Sequence, residues 1–333
     1  FRLEKLTAGN YKIACSYLGY ATVYQNVTLQ LSMAITIQMN QKVVAIQPVV
    51  LTAIKAKELT PVAQTNVTKQ EIEQQHGTKD IPYVLEQTPS IVATSDNGTG
   101  IGYTGMRIRG TDMSRINITV NGIPLNDAES QTVFWVNMAD FASSVDAIQI
   151  QRGVGTSTNG AASFGASVNF ETVDIQQKPH ASLSSAIGSF GTYKQNISAG
   201  TGIIDSAWYV GVRLSNLDSK GWVYRSFSHH KSAHVTGTYF KANHRISGNV
   251  LLGKERTGIS WEGVPDYMLT VDRRYNATGL YYDNQGNEQF YDNETDNYWQ
   301  NHYSLSYSLQ QSKNLKFSLT GHATTGEGYY EQY

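Results

Sequence analysis

Two groups of residues have the types that bind metal ions, but neither has the right spacing. His229 and His230 are adjacent in a segment that alternates like a β-strand, so their side chains would point to opposite faces and chelate poorly. The acidic run 292–296 offers enough oxygen atoms for Ca²⁺ but lacks the spacing and the glycine of an EF-hand loop. We interpret the first as strand residues and the second as a solvated loop, and we expect neither a metal nor a cofactor.

Catalytic spacings are also missing from the sequence. It contains no H-E-x-x-H and no G-x-S-x-G motif, and Cys15 is the only cysteine, which excludes an intrachain disulfide and a zinc-binding cysteine pair. The glycine-rich segment 94–102 is not followed by the Lys-Ser/Thr of a phosphate-binding loop. We therefore expect a protein that is not an enzyme.

Composition limits the class of protein. The 333 residues are 40% hydrophobic and 16% charged, include 21 tyrosines and carry a net charge of −1. A nearly neutral chain gives no reason to expect a nucleic-acid partner. No apolar run reaches the roughly 18 residues of a transmembrane helix, but a spanning β-strand needs only about 9–11 alternating residues. Composition alone favours a soluble all-β domain and leaves a barrel wall open.

The segment 106–172 carries the most information. A short strand with two arginines ends at Gly110, and a second strand ends in the Asn121-Gly122 turn, a strong hairpin signal. A third strand alternates Ile148 and Ile150 with Gln149 and Gln151 and runs into Arg152-Gly153. A Gly/Ala/Ser-rich passage then leads to a last strand.

The order of these pieces resembles the plug domain of TonB-dependent outer-membrane receptors. The matching motifs are Arg107-Ile108-Arg109-Gly110, Val120-Asn121-Gly122-Ile123-Pro124, Ile148-Gln149-Ile150-Gln151-Arg152-Gly153 and Ala162-Ser163-Phe164-Gly165-Ala166-Ser167-Val168-Asn169. The resemblance covers roughly residues 45–333. It implies a plug domain over 58–175, where a Thr68–Glu71 capping box predicts a helix that ends at His76-Gly77.

The residues before the plug form two further segments. Residues 1–40 alternate in three predicted strands, and Ala8-Gly9-Asn10-Tyr11 resembles the C-terminal part of a carboxypeptidase-regulatory-like β-sandwich. Residues 41–57 form a linker whose run Val49, Val50, Leu51 and Thr52 resembles a TonB box, to which an energy-transducing partner would bind by strand addition. The same run could instead be the last strand of the sandwich.

From residue 176 onward the sequence predicts an antiparallel wall. Seven segments, near 181–190, 192–201, 206–217, 230–241, 244–253, 298–310 and 313–325, alternate polar with apolar residues, and one connection, 254–297, is far longer than the others. Short turns on one side and long loops on the other are typical of an outer-membrane barrel. A barrel that encloses a plug has about 22 strands, so we expect 176–333 to be its first strands and the chain to be a segment of a longer protein.

The resemblance implies roles for particular side chains. Arg107 and Arg109 share one strand face, and with Arg152 they are expected to dock the plug on wall carboxylates, although solvated arginines would have the same spacing. Loop residues that could contact a solute are Asn97, Tyr103, Glu129, Gln131, Trp135, Trp261 and Tyr267.

The implied protein lies in the outer membrane of a Gram-negative cell, in contact with its lipid, with the N-terminal part periplasmic. It would use a TonB-type protein to import a scarce external small-molecule solute. A surface lipoprotein is a further possible partner of such a receptor. An iron–siderophore, haem or cobalamin-type solute is the first expectation. A glycan or peptide importer of the same class, or a β-rich surface adhesin without transport, is the alternative.

Overall fold

The computed structural model describes residue 3 and the ranges 6–16, 22–39, 55–56, 60–155, 164–172, 175–312 and 314–333. The chain is mainly β, as predicted. Strands β1 (Gly9–Cys15) and β2 (Val23–Leu29) pair antiparallel. Three strands are predicted over residues 1–40, but 32–39 adopt no regular structure.

Residues 60–172, called the plug below, combine a five-stranded sheet with a two-stranded ribbon and two short helices. The sheet order is β3-β8-β9-β6-β7, and β6 runs parallel to β9 while the other neighbours are antiparallel. Strands β4 and β5 form the ribbon. The elements are β3 (Ala63–Thr68), α1 (Lys69–His76), α2 (Ile81–Val84), β4 (Ile91–Ser95), β5 (Thr104–Ile108), β6 (Ile116–Val120), β7 (Ile123–Pro124), β8 (Ala147–Arg152) and β9 (Ala166–Glu171), with 3₁₀ turns at Met113–Arg115, Trp135–Asn137 and Phe141–Ser144.

Local sequence signals explain these boundaries. The Thr68 hydroxyl accepts from the backbone N–H of Glu71, whose carboxylate accepts from Thr68, so the predicted capping box starts α1. Asn121 and Gly122 both adopt positive φ, as the tight turn between β6 and β7 requires. The helix signals and the hairpin signal of the sequence are thus confirmed.

The plug core lies on one face of the sheet and is aliphatic and aromatic. Ile148, Ile150, Val168 and Phe170 are each 0–1% exposed. The opposite face of β8 is also buried, but its partners are polar. Gln149 is 3% exposed and donates to the side chains of Asn66 and Gln64.

Seven long strands form one antiparallel sheet in chain order, called the wall below. Its members are β10 (His180–Gly188), β11 (Thr192–Gly200), β12 (Trp208–Ser219), β13 (Ser228–Lys241), β14 (His244–Gly258), β17 (Thr295–Gln310) and β18 (Lys316–Glu331). The seven segments predicted from alternation therefore correspond to the seven wall strands.

The two faces of the wall differ in chemistry. Along β12, Val212 and Leu214 are 41% and 52% exposed, whereas Arg213 between them is 5% exposed and points toward the plug. This alternation of an apolar outer face and a polar inner face is typical of a spanning strand. None of the helices in the described ranges is long and apolar enough to cross a membrane.

The connections of the meander are unequal at its two ends. Residues 189–191, 220–227 and 259–294 lie at one end, called the long-loop end below. The longest of them is shorter than the predicted 254–297 because β14 and β17 extend into it. It also contains a 3₁₀ turn, Asp266–Met268, and a small hairpin of β15 (Leu280–Tyr282) and β16 (Glu288–Phe290).

Candidate functional site

A cleft of about 1020 Å³ opens between the plug and the inner face of β17 and β18. On the plug side it is lined by residues of the segment 124–138, called the plug loop below, and by Tyr103. Trp261 of the long connection also contributes. The wall contributes Asp296, Tyr298, Gln300, His302, His322, Thr324, Gly326, Gly328, Tyr329 and Tyr330. A concave site with aromatic walls and a few polar groups is typical of small-molecule binding.

The plug loop is held in shape by its own polar side chains. Asp127 accepts from the backbone N–H groups of Glu129 and Ser130, at 3.0 and 2.7 Å. These bonds hold the pKa of the Asp127 carboxyl below its usual range, so the group is ionised. Asn126 ties the loop to β6, accepting from Ile118 and donating to the carbonyl of Ile116. The rigid loop leaves the Glu129 side chain exposed beside the cleft.

Tyr103 joins the plug to both the wall and the long connection. Its hydroxyl donates to the Asp296 carboxylate on β17, and its ring meets Trp261 edge-on, with 5.3 Å between ring centroids. Burial and the neighbouring carboxylate raise the pKa of the Tyr103 phenol, which stays protonated and keeps donating. Tyr103 and Trp261 both line the cleft, and their contact with a solute stays a prediction.

The other predicted solute residues lie in different surroundings. Asn97 is 4% exposed, and its amide donates to the Ser226 carbonyl and the Ser228 hydroxyl of the wall, so it anchors the plug. Trp135 is 3% exposed and packs edge-on against Phe170 in the plug core. Neither side chain is placed where a solute could touch it, because each is already covered by protein.

Gln131 and Tyr267 also have distinct positions. The Gln131 amide donates to the carbonyl of Ala128 within the plug loop, which makes it a loop-shaping residue. Tyr267 is 71% exposed on the long connection and does not line the cleft. Among the apolar run 133–135, Phe134 is the exposed member, at 49%, and it does line the cleft.

A buried ion cluster docks the plug on the wall. The Asp140 carboxylate lies 2.8 Å from Lys194 Nζ on β11 and 3.5 Å from the guanidinium of Arg213 on β12. It also accepts from the Ser215 hydroxyl, and Lys194 and Arg213 donate to Ser143 and Ser144 of the plug. All three charged side chains are at most 7% exposed, so they form a buried contact between the two parts.

In this docking contact the plug supplies the acid and the wall supplies the cations, whereas the sequence predicted plug arginines bound to wall acids. Arg107 and Arg109 are exposed, and no ion pair joins either to an acid in the described residues. Arg152 donates to the carbonyl of Pro89 at 3.0 Å, so it binds two plug segments together instead of reaching the wall. No sequence motif marks Asp140 as a docking residue, because its partners Lys194 and Arg213 lie far along the chain.

The predicted TonB box at Val49, Val50, Leu51 and Thr52 lies outside the described residues, but the segment just after it is placed. The backbone N–H of Ala56 donates to the Gln149 side chain at 2.7 Å, and the Gln149 amide donates back to the Ala56 carbonyl at 3.0 Å. Lys55 forms an ion pair with Glu171 of β9. Residues 55–56 are thus fastened to the polar face of the plug sheet.

Metal coordination has no support in the described part of the chain. No group of three or more His, Cys, Asp or Glu side chains there could hold an ion. His229 pairs with Asp218 on the exposed side of the wall at 2.6 Å, whereas its neighbour His230 is 1% exposed on the inner face. The two rings point to opposite faces, as strand geometry predicts.

Comparison with known proteins agrees with this geometry. Residues 56–167 match the family model of the TonB-dependent receptor plug domain. A search of curated protein sequences found no significant match. Solved structures do match along most of the chain, at low sequence identity.

Three of these structures illustrate the likeness. The ferric citrate transporter FecA, unliganded, superposes with a TM-score of 0.64 at 21% identity over 82% of this chain and 41% of its own. The ferric preacinetobactin receptor BauA from Acinetobacter baumannii gives 0.65 at 16% identity, over 83% of this chain and 39% of its own. The alcaligin receptor FauA from Bordetella pertussis gives 0.60 at 15% identity, over 83% and 41%.

This chain therefore spans about two fifths of the length of those receptors. Receptors of this class lie in the outer membrane of Gram-negative bacteria, as the sequence resemblance implied. Residues 56–167 match the TonB-dependent receptor plug domain, and the plug with the antiparallel strands after it has the fold of solved outer-membrane receptors.

Proposed function

We propose that this protein takes up a scarce solute through the outer membrane, driven by a TonB-type partner in the periplasm. One observation carries the proposal: Tyr103, the plug loop, Trp261 and the inner wall face meet around one cleft of about 1020 Å³. The long-loop end faces the outside, as the longer loops of such barrels do. A solute arriving from outside would then meet the cleft before it meets the plug core.

A ferric siderophore is the solute class that we place first. In support, FecA, BauA and FauA are described as receptors for ferric citrate, ferric preacinetobactin and alcaligin. Haem and cobalamin-type ligands come second. A glycan or peptide fits aromatic and amide-rich walls too, and a surface adhesin would need neither the plug nor the linker.

During transport, the pull of the periplasmic partner would be coupled mechanically to movement of the plug, without making or breaking a covalent bond. The partner would bind residues 49–52 and pull. The force would pass through Ala56 to Gln149 and so to β8, an interior strand of the plug sheet. Because the Asp140–Lys194 pair opposes movement of the plug against the wall, it would have to yield before a path opens.

Uptake of a radiolabelled ferric chelate by cells that express the full-length receptor tests this proposal. We expect surface binding without energy, and accumulation only when the proton-motive force and the TonB-type partner are both present. A protonophore should stop accumulation and leave binding intact. Accumulation that continues with the protonophore would overturn the proposal.

A further inference from the structure

Negative charge is concentrated at the long-loop end of this nearly neutral chain. The long connection 259–294 contains seven carboxylates and two arginines, whereas the whole chain has a net charge of −1. The plug loop adds Asp127 and Glu129 and has no Lys or Arg. The described residues that line the cleft include three acids, Asp127, Glu129 and Asp296, and no Lys or Arg.

Of the two arginines in the long connection, Arg274 is directed into the protein and Arg273 is exposed. Arg274 donates to the carbonyl of Trp222 at 2.6 Å, and its guanidinium lies 4.6 Å from the Tyr224 ring centroid. Arg273 donates to the Leu269 carbonyl at 3.0 Å. Neither arginine lines the cleft, so neither faces the acids on its walls.

The acids on the cleft are held in place. Asp127 is fixed by backbone donors, and Asp296 accepts from Tyr103. The remaining titratable groups on the lining are tyrosines and the two histidines His302 and His322. A cleft lined by one sign of charge raises the local concentration of oppositely charged solutes and repels those of its own sign.

Aromatic rings provide the second half of a cation site. Trp261 stands between two tyrosines, with ring centroids 5.3 Å from Tyr103 and 5.9 Å from Tyr330. All three residues line the cleft. Ring faces attract ammonium groups, so carboxylates and rings together favour an amine-bearing solute.

We infer that the cleft selects a ferric chelate of positive or neutral net charge and discriminates against multiply anionic chelates. The inference rests on the proposed function, in which the solute is a ferric chelate. Three hydroxamate groups neutralise iron(III), so a ferric trihydroxamate with a free amine is a cation. A ferric tris-catecholate carries three negative charges and would meet Asp127, Glu129 and Asp296, and no Lys or Arg is among the described residues that line the cleft.

The test is equilibrium binding to the purified full-length receptor. The probes are a ferric trihydroxamate with a free amine, its N-acetylated neutral form and a ferric tris-catecholate. We expect the amine form to bind roughly tenfold tighter than the acetylated form, and the catecholate to bind at least about a hundredfold weaker than the amine form. The preference should shrink at high salt, because screening weakens exposed charges.

Matched variants connect the preference to the cleft. Glu129→Gln removes one charge with little change in shape and should reduce the ratio between amine and acetylated forms several-fold. Glu86→Gln changes an exposed plug acid outside the cleft and should leave the ratio unchanged. Thermal unfolding of each variant confirms that the fold is retained.

The outcomes separate this inference from the proposed function. Equal or tighter binding of the catecholate, an unchanged ratio in Glu129→Gln, or no binding of any chelate overturns the inference. Charge-ordered binding without energy-dependent accumulation upholds the inference and overturns the proposed function. Energy-dependent uptake of chelates without a preference that follows their charge upholds the proposed function and overturns the inference.

Discussion

Asp140 of the plug and Lys194 of wall strand β11 form a buried ion pair, with 2.8 Å between the carboxylate oxygen and the ammonium nitrogen. The two side chains are 2% and 5% exposed. Removing one partner of such a pair leaves the other charge buried without compensation, which costs about 3–5 kcal/mol. The pair therefore makes plug docking sensitive to a single carboxylate.

Replacing that carboxylate should loosen the plug. Asp140→Asn keeps a residue that tolerates the observed positive φ of 46° but leaves Lys194 and Arg213 without their anion. We expect the unfolding temperature of the full-length receptor to fall by several degrees and the leak of large antibiotics into cells to rise. Asp205→Asn is the matched control, because Asp205 also has positive φ and is exposed. Equal effects of the two changes would contradict the docking role.

A second buried plug acid predicts a dependence on pH. Burial raises the pKa of Asp80 well above its usual range, against the opposing hydrogen bond from the Gly102 backbone at 2.8 Å. Below the unfolded pKa the neutral acid carries no charge penalty, and that stability is lost as pH rises through the folded pKa. Asp80→Asn retains the acceptor oxygen and cannot ionise. Thermal unfolding between about pH 4 and pH 9 should show the wild type losing stability relative to the variant, whereas parallel curves would exclude the effect.

Much of the plug and wall architecture could be predicted because it depends on local signals. The capping box at Thr68, the turn at Asn121 and the alternation of Val212 and Leu214 each involve residues close in sequence. The contact between Asp140 and Lys194 joins a plug turn to a wall strand 54 positions later in the sequence. Nothing in either local sequence distinguishes these two residues from surface charges, so the docking pair was not found.

The direction of side chains within the plug loop could not be predicted from the sequence either. Val133, Phe134 and Trp135 are consecutive apolar residues, and the 3₁₀ turn that starts at Trp135 decides which of them is buried. Sequence composition predicted solute contact for the loop through Trp135, whose side chain is 3% exposed. The domain boundaries and the TonB box stay predictions.

The two aromatic residues should therefore respond differently to truncation. Trp135→Ala removes a core ring packed on Phe170 and should lower the free energy of unfolding by about 3–5 kcal/mol. Phe134→Ala removes a cleft-facing ring and should weaken solute binding while changing stability by less than about 1 kcal/mol. Calorimetry and equilibrium binding on both variants would show which ring stabilises the fold and which contacts the solute. A larger stability loss from Phe134→Ala would reverse the assignment.

The hydrogen bonds between Gln149 and Ala56 should transmit force from the linker to the plug sheet. Gln149→Leu removes both bonds and preserves side-chain volume approximately, so a pull on the linker would extend residues 55–56 without moving β8. We expect uptake to fall several-fold and surface binding of the solute to remain. Gln64→Leu is the control, because Gln64 bonds Gln149 at 3.2 Å but is not one of the groups that hold Ala56. Equal uptake by the two variants would argue against force transmission through the hydrogen bonds between Gln149 and Ala56.

The segment Val49–Thr52 should respond to backbone chemistry more than to side-chain size. Strand addition relies on main-chain hydrogen bonds, and proline removes a donor and fixes φ. Val50→Pro should abolish uptake of labelled solute, whereas Val50→Ala should retain most of it. Both variants should bind solute at the cell surface like the wild type, because the cleft lies at the far end of the plug. Normal transport by Val50→Pro would show that the segment is only a strand of the preceding sandwich and would move the search for the partner site to residues 59–62.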